Sequence, residues 1–472
     1  MKLNPQIFRE YDIRGVPGVD YDEEFSARFG QALGTALLDR GISRAAVGRD
    51  CRLSSPAQAA ALRAGLLSTG IDVIDVGMCA TPLLYFAVHH LGLEAGVEVT
   101  GSHNPPDHNG FKIVIGKATI YGDDIRDLAV RIEKGEFRSG EGNASTYAIV
   151  PAYQGFMAEH FGHDAKGLKV VVDSGNGTGG PAARVYRNMG CEVTELYSEP
   201  DGTFPNHHPD PTLPENLADL IAKVKETGAD LGIAFDGDSD RIGIVDGKGR
   251  VIWGDEMLVL FAREILSRHP GTAVVSEVKC SQRLYADIEA KGGRAIMWKA
   301  GHSLLKAKMR ETGALLGGEM SGHIFFADRY FGFDDGIYAG ARMIEILARS
   351  GRSLADLLGD LPRTVYTPEI RIPCPDEQKF RVAAAAQARF RELGHDLVDV
   401  DGVRVIFDHG WGLIRASNTQ PILVLRFEAT DDVSLARYRR LVEGELESLR
   451  RKVESDIAQE AGQPTGRETG EE

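Results

Sequence analysis

The same order of elements occurs three times in this chain, and that repetition limits its fold more than anything else in the sequence. Each pass reads strand, helix, strand, helix, strand, and the third strand runs into a loop dense in polar chemistry. The first pass has strands over 45–48, 71–76 and 97–100 and delivers Gly101-Ser102-His103-Asn104. The second has strands over 168–173, 190–193 and 231–235 and delivers Asp236-Gly237-Asp238-Ser239-Asp240-Arg241. The third has strands over 272–276, 293–297 and 313–316 and delivers Gly318-Glu319-Met320-Ser321-Gly322-His323. A period of roughly 100 residues is too long for a solenoid. Alternating strands and helices predict parallel or mixed sheets with helix-covered faces. Ligands of open α/β sheets sit beyond the carboxyl ends of the strands, so the three units aim three different loops at one cleft.

After Arg363 the pattern changes. Strands over 403–407, 412–415 and 422–427 follow one another with short connections, flanked by helices over 377–393 and 435–452. The expected fold is therefore three similar mixed α/β domains around a central cleft plus a smaller C-terminal α+β domain. The expected boundaries are 1–150, 151–252, 253–363 and 364–454. From Ser455 the chain is rich in Glu, Gln, Gly and Thr, with Ile457 its only large apolar residue, and 455–472 is expected to be disordered.

A chain of 472 residues is too long for one core. The net charge of −15 argues against nucleic acid or an anionic membrane as partner. An anionic substrate would need a local basic pocket. Five cysteines without a CxxC pair fit reduced thiols, and neither an apolar leader nor a membrane-spanning run is visible. A cytoplasmic protein is expected, as a monomer or weak dimer.

The loops have readings of their own. Around Ser102 two apolar runs flank Gly101-Ser102-His103-Asn104-Pro105-Pro106-Asp107-His108-Asn109-Gly110. The prolines and the Asn-Gly turn stiffen this loop, and Lys112 follows where the chain re-enters a strand. A rigid serine flanked by His103 and Lys112 suits a nucleophile or phosphate carrier, or else a plain polar hairpin. Asp236, Asp238 and Asp240 place carboxylates at alternate positions. A divalent cation relieves their repulsion, and oxygen-only ligands suit Mg²⁺. A solvated acidic turn reads the same, and a strand ending in Asp-x-Asp also fits an aspartyl-phosphate enzyme with Asp236 as nucleophile. Glu319, Ser321 and His323 offer hydrogen-bond partners for sugar hydroxyls. Arg415-Ala416-Ser417-Asn418-Thr419-Gln420-Pro421 makes a dianion cradle or a polar hairpin. Phe8-Arg9-Glu10-Tyr11-Asp12-Ile13-Arg14-Gly15 taken alone reads as an exposed polar turn.

Together, FREYDIRG, TGSHNPPDHNGFK, DGDSDR, GEMSGH and RASNTQP, in that order, resemble the α-D-phosphohexomutases, in particular the bacterial phosphomannomutase/phosphoglucomutase branch. The resemblance runs from Phe8 to about Lys452. It implies that Ser102 carries a phosphoryl group exchanged with a sugar. It further implies Mg²⁺ held by Ser102, Asp236, Asp238 and Asp240, with Arg241 meeting the phosphoserine. Tyr11 and Arg14 would reach into the site, and Lys279 and His302 would line it. Glu319, Ser321 and His323 would bind the sugar, and Arg415, Ser417, Asn418 and Thr419 the distal phosphate. His103, Lys112, Arg14 and His302 stand as candidates for general acid and base. Met320 resembles the mannose/glucose branch, where phosphoglucosamine mutases typically carry glutamine. The implied partners are hexose phosphates, interconverted between 6- and 1-phosphate (mannose and glucose), with a hexose 1,6-bisphosphate as activator. A catalytically silent sugar-phosphate sensor is the rival from another class, and the intact serine, aspartates and lysine speak against it.

Overall fold

The computed structural model describes residues 3–418 and 420–462. The chain divides into two compact units, Met1–Leu361 and Pro362–Glu472.

The first unit holds three sheets built on one plan. In the first, Arg44–Arg49 is central, with Asp72–Met78 and Ala95–Val99 parallel to it on either side. Asn109–Ile115 then returns antiparallel to Ala95–Val99, and Ile13–Gly15 and Ala118–Thr119 pair with that return strand. In the second sheet Lys169–Asp173 lies between parallel Glu192–Leu196 and Leu231–Phe235, and Ile242–Asp246 returns antiparallel. In the third, Ala273–Glu277 lies between parallel Arg294–Trp298 and Leu316–Gly318, and Ile324–Phe326 returns. Each chemistry-bearing loop is thus a hairpin joining the third parallel strand to an antiparallel return strand. The returns over 242–246 and 324–326 go beyond the sequence reading.

The third strand of the third sheet starts at Leu316, later than the 313–316 read from sequence. The preceding helix, His302–Thr312, ends on Gly313 in the left-handed region (φ +66), a conformation glycine adopts without strain, so 313 caps a helix and cannot open a strand. Ser54 immediately precedes the helix Ser55–Leu67, yet its side chain makes no capping bond. Its hydroxyl instead accepts from Asn109 Nδ2 at 2.8 Å, inside the Ser102 loop.

One apolar cluster runs through all three sheets, from Leu83 and Phe86 through Ile233 and Phe261 to Leu316 and Ile344. A second cluster fills the other face of the first sheet, around Phe25, Phe29 and Phe111. The shared core makes the first unit one body, and the three loop-bearing hairpins are fixed to it.

The second unit is an antiparallel sheet in the order Val365–Tyr366, Ile422–Ala429, Gly410–Ala416, Val403–Phe407, Asp396–Val398, with Ile370–Pro373 also on Ile422–Ala429. The helices Asp376–Glu392 and Asp432–Gly462 supply Val382, Phe390, Val442, Leu446 and Val453 to its core. The expectation of disorder from Ser455 fails up to Gly462. Val453 is buried and Ile457, one turn on, packs against the same core, while Arg381 reaches Glu460 at 2.9 Å. Two apolar residues four apart suffice to hold a helical face, and the polar composition describes only its outer side. Residues 463–472 lie outside the described residues.

A chain ending at Lys452 is therefore expected to lose about 1–3 kcal/mol of stability, from the lost burial of Val453 and Ile457. Denaturant unfolding of the second unit in truncated and full-length chains measures this. Identical midpoints would show that the helix end contributes nothing.

Candidate active site

Ser102 follows Ala95–Val99 by three residues and sits in the left-handed region (φ +48), only 2% exposed. Its N–H donates to Thr100 Oγ1 at 2.9 Å. A non-glycine residue there costs roughly 1–2 kcal/mol and persists only where its surroundings over-determine it. Arg52 does so. Its fully buried guanidinium donates to the carbonyls of Ser102 (2.7 Å), Asn104 (2.6 Å), His108 (2.9 Å) and Pro105. Asp50 orients Arg52, lying 3.2 Å from its Nε, and accepts from the N–H of Gly101 at 3.1 Å. Gly110 is required by crowding: a Cβ there would meet Ile13 O at 2.1 Å, where Ile13–Gly15 joins the sheet. That pairing sets Arg14 opposite Gly110, and Arg14 Nη1 donates to Asn104 Oδ1 at 2.8 Å.

The second hairpin meets the first at the serine. Ser102 Oγ donates to Asp236 Oδ2 at 2.8 Å, and His103 Nδ1 lies 3.2 Å from the same hydroxyl. Lys112 Nζ donates to Asp238 Oδ2 at 2.6 Å and to Asp240. Thr81 adds its hydroxyl to Asp238 at 2.6 Å. Burial works against the Lys112 charge, but Asp238 and Asp240 override it and hold the ammonium firmly protonated. Burial, then the charge of Asp238, raises both Asp236 and Asp240. Burial pushes Asp238 up, but the charge of Lys112 and the hydrogen bonds from Lys112 and Thr81 together hold it below the ordinary carboxylate range. Burial, then Arg241, pushes His103 well down, so its ring is neutral at pH 7.

The third hairpin is tied to the second. Arg241 and His323 form a β-bridge, and Arg241 Nε donates to His323 Nε2 at 3.0 Å. That makes Nε2 an acceptor and leaves the ring proton on Nδ1, 3.0 Å from Asp334 Oδ2. Lys306 donates to Asp334 Oδ1 at 2.8 Å. His302 stacks on His323 with ring centroids 5.3 Å apart, and burial, then Lys306, lowers its pKa well below the usual value. Glu319 accepts from the Gly301 N–H at 2.6 Å and from Ser321 Oγ at 3.1 Å. Tyr11 donates to Ala300 O at 3.0 Å, which brings the amino-terminal segment to the same place. Lys279 Nζ lies 3.3 Å from Glu277, whose other oxygen accepts from Met320 N–H at 2.8 Å.

Residues 5–139, 153–249 and 253–365 match the phosphoglucomutase/phosphomannomutase alpha/beta/alpha domains I, II and III, and 369–444 match the C-terminal domain of the same proteins. The chain belongs to the phosphoglucomutase/phosphomannomutase family. It is 49% identical over 448 residues to a phosphomannomutase/phosphoglucomutase of Pseudomonas aeruginosa, covering 95% of this chain and 96% of that one. It is 45% identical to a phosphoglucomutase of Neisseria meningitidis, covering 94% and 97%. A crystal structure of a phosphoglucomutase/phosphomannomutase family protein from Burkholderia thailandensis superposes with a TM-score of 0.90 at 46% identity, covering 95% and 98%.

In this phosphoglucomutase/phosphomannomutase family member the acidic hairpin fits a cation. Asp236, Asp238 and Asp240 each offer an oxygen within 4.8 Å of the others. The Oδ1 atoms of Asp238 and Asp240 are buried without a hydrogen-bond partner among the described residues. Three buried carboxylates against one lysine leave negative charge unbalanced, which hard oxygen-bound cations neutralise. A second cluster, Asp240, His323 and Asp334, has comparable spacing, but Arg241 and Lys306 already engage it.

The second unit presents Arg415 at the end of Gly410–Ala416, its Nε donating to Asp401 Oδ2 at 3.0 Å. Ser417 and Asn418 follow in the turn, where Ser417 Oγ accepts from Gln420 N–H at 3.2 Å. Thr419 lies outside the described residues.

Sequence reasoning missed Asp50, Arg52, Thr81, Lys306 and Asp334. For Asp50 and Arg52 a signal existed, since their loop leaves the carboxyl end of the first sheet's central strand. An Arg52→Lys substitution leaves one ammonium to serve carbonyls that a planar fork reaches together. Stability is expected to fall by about 2–4 kcal/mol, with faster hydrogen exchange confined to residues 101–110. Unchanged protection of that loop would show that Arg52 does not hold it.

Proposed function

We propose that this chain is a phosphohexomutase that interconverts hexose 6-phosphate and hexose 1-phosphate, with mannose and glucose as the sugars. The observation that carries this reading is Ser102. Its hydroxyl is held in a strained, clamped turn, 2.8 Å from Asp236, among aspartates, Lys112 and Arg241. A hydrolase needs no carrier held this firmly, whereas a mutase must return the same group to the same atom.

In the resting enzyme Ser102 Oγ bears a phosphoryl group. The free hydroxyl of the bound monophosphate attacks phosphorus in line. The new P–O bond to the sugar forms, the P–Oγ bond breaks, and the hydroxyl proton passes to a neighbouring base. The product is a hexose 1,6-bisphosphate. After it turns over, its other phosphoryl group moves to Ser102 Oγ, the reverse proton transfer completes the new hydroxyl, and the isomeric monophosphate leaves. Added bisphosphate therefore acts as activator by rephosphorylating bare Ser102. The neutral ring of His103, 3.2 Å from Oγ, is suited to take the proton at this serine. Arg241 and Lys112 offset charge on the transferring oxygens, and Arg14 fixes the loop through Asn104. Mg²⁺ held by Asp236, Asp238, Asp240 and the Ser102 oxygen would supply further charge neutralisation. Tyr11, Lys279, His302, Glu319, Ser321 and His323 bind the sugar phosphate. Arg415, Ser417, Asn418 and Thr419 hold the phosphate that is not in transfer.

Mass mapping of purified protein is expected to find phosphate on Ser102. Ser102→Ala should fold normally and lose at least about a thousandfold in turnover of glucose 1-phosphate, as expected when a covalent carrier is removed. Wild-type turnover in that variant, or base-labile phosphate on Asp236, would establish the aspartyl-phosphate route instead.

Asp238→Asn removes a charged ligand and is expected to weaken divalent binding by about one to three orders of magnitude, about 1.4 kcal/mol for each. Calorimetric titration with Mg²⁺ reads this directly. Equal Mg²⁺ affinity in both proteins would remove Asp238 from the metal site.

A further inference from the structure

Away from Ser102, the first unit contains a cavity of about 450 Å³. The helix Thr81–His90, the turn at 116–117, the helix His302–Thr312 and the segment 331–333 enclose it. Its size is that of a small-molecule site. Its walls are of two kinds. Tyr85, Val88, Met309 and Phe333 make an apolar floor, and Phe331, 42% exposed, stacks on His89 with ring centroids 4.5 Å apart. Its charged side chains are all basic: Lys117, Arg310 and Lys306 line it, and no carboxylate does.

In a chain of net charge −15, this cavity is lined by three basic side chains and no carboxylate. Lys306 is engaged by Asp334, but Lys117 and Arg310 have no carboxylate within ion-pair distance among the described residues. Lys117 also occupies the left-handed region (φ +63), in a tight turn after Gly116 (φ +63). Asparagine or glycine would fill that position with less strain, so the turn's conformation does not explain a lysine. Two unpaired cations at the mouth of an aromatic-walled cavity attract an anion and seat a flat apolar body behind it.

One wall of the cavity also reaches the candidate active site. The helix His302–Thr312 begins at His302, which stacks on His323, and carries Lys306, Met309 and Arg310 into the cavity wall. Lys306 contacts Asp334, and Asp334 lies beside His323, which accepts from Arg241. Thr119, another wall residue, lies 3.1 Å from Ser303 through their hydroxyls.

We infer that this cavity is an effector site for an amphipathic organic anion, a flat apolar body bearing a phosphate, sulfonate or carboxylate, and that its occupancy alters turnover through the helix His302–Thr312.

The test uses the full-length enzyme with saturating glucose 1,6-bisphosphate to fill the catalytic site, and 8-anilinonaphthalene-1-sulfonate as probe. One saturable, fluorescent site per chain is expected. The double variant Lys117→Glu/Arg310→Glu should weaken it by about tenfold or more, because it reverses both charges at the mouth. Ala327→Trp, which fills the cavity from an exposed wall position, should abolish it and keeps the test decisive if the charge reversal destabilises the protein. Neither change should alter turnover without probe. Saturating probe should shift the KM for glucose 1-phosphate in the wild type and leave both variants unmoved. Wild-type probe affinity in either variant would overturn the site, and turnover indifferent to bound probe would overturn its effector role.

Discussion

Three aspartates buried within five residues of one another are an electrostatic liability, and the first unit is organised around answering it. Asp236, Asp238 and Asp240 sit on one hairpin with no solvent to screen them. Their answer comes from another sheet: Lys112, 126 residues before Asp238, enters from a return strand and bonds two of the three. Left without it, buried like charges would drive protonation or unfolding. The ion pair therefore works as a register pin between the first two sheets. It places Ser102 against Asp236 as a consequence of satisfying charge. The third hairpin is pinned in the same manner, by Arg241 and Asp334 on either side of His323.

The positions of these hairpins were legible in the sequence, and the bonds between them were not. Each loop could be placed because it follows the third strand of a repeated unit, and strand ends in α/β sheets carry the chemistry. Local pattern says nothing about which loop residue meets which across more than a hundred positions. Ser102 and the aspartates stood out as candidates by type and spacing. Arg52 did not, because a buried arginine and a solvated one look alike until the fold removes its water. Ser54 shows the same limit in reverse: its place just ahead of Ser55-Pro56 suits a helix cap, and in the fold its hydroxyl accepts from Asn109 instead. The helix past Ser455 was misread because composition averages over faces, and Val453 and Ile457 needed only one face.

The apolar core and the polar hairpins divide the labour. A single cluster running through three sheets supplies rigidity, so the hairpins can hold residues that would not stay put alone: Ser102 and Ser239 at positive φ, and buried carboxylates. The helix His302–Thr312 belongs to both parts. Its first residue stacks on His323 in the candidate active site, and its later turns wall an aromatic, basic cavity.

The left-handed backbone at Ser102 has a consequence for which amino acids this position admits. Threonine offers the same kind of oxygen and accepts phosphate as readily, so chemistry alone would allow either. A branched β-carbon is far less tolerant of that backbone than serine's single substituent. Asparagine and glycine fit the turn comfortably but bring no nucleophile. The overlap of what the turn permits and what the proposed phosphoryl transfer requires contains serine and little else. The architecture of the loop, as much as the reaction, restricts variation at its central residue.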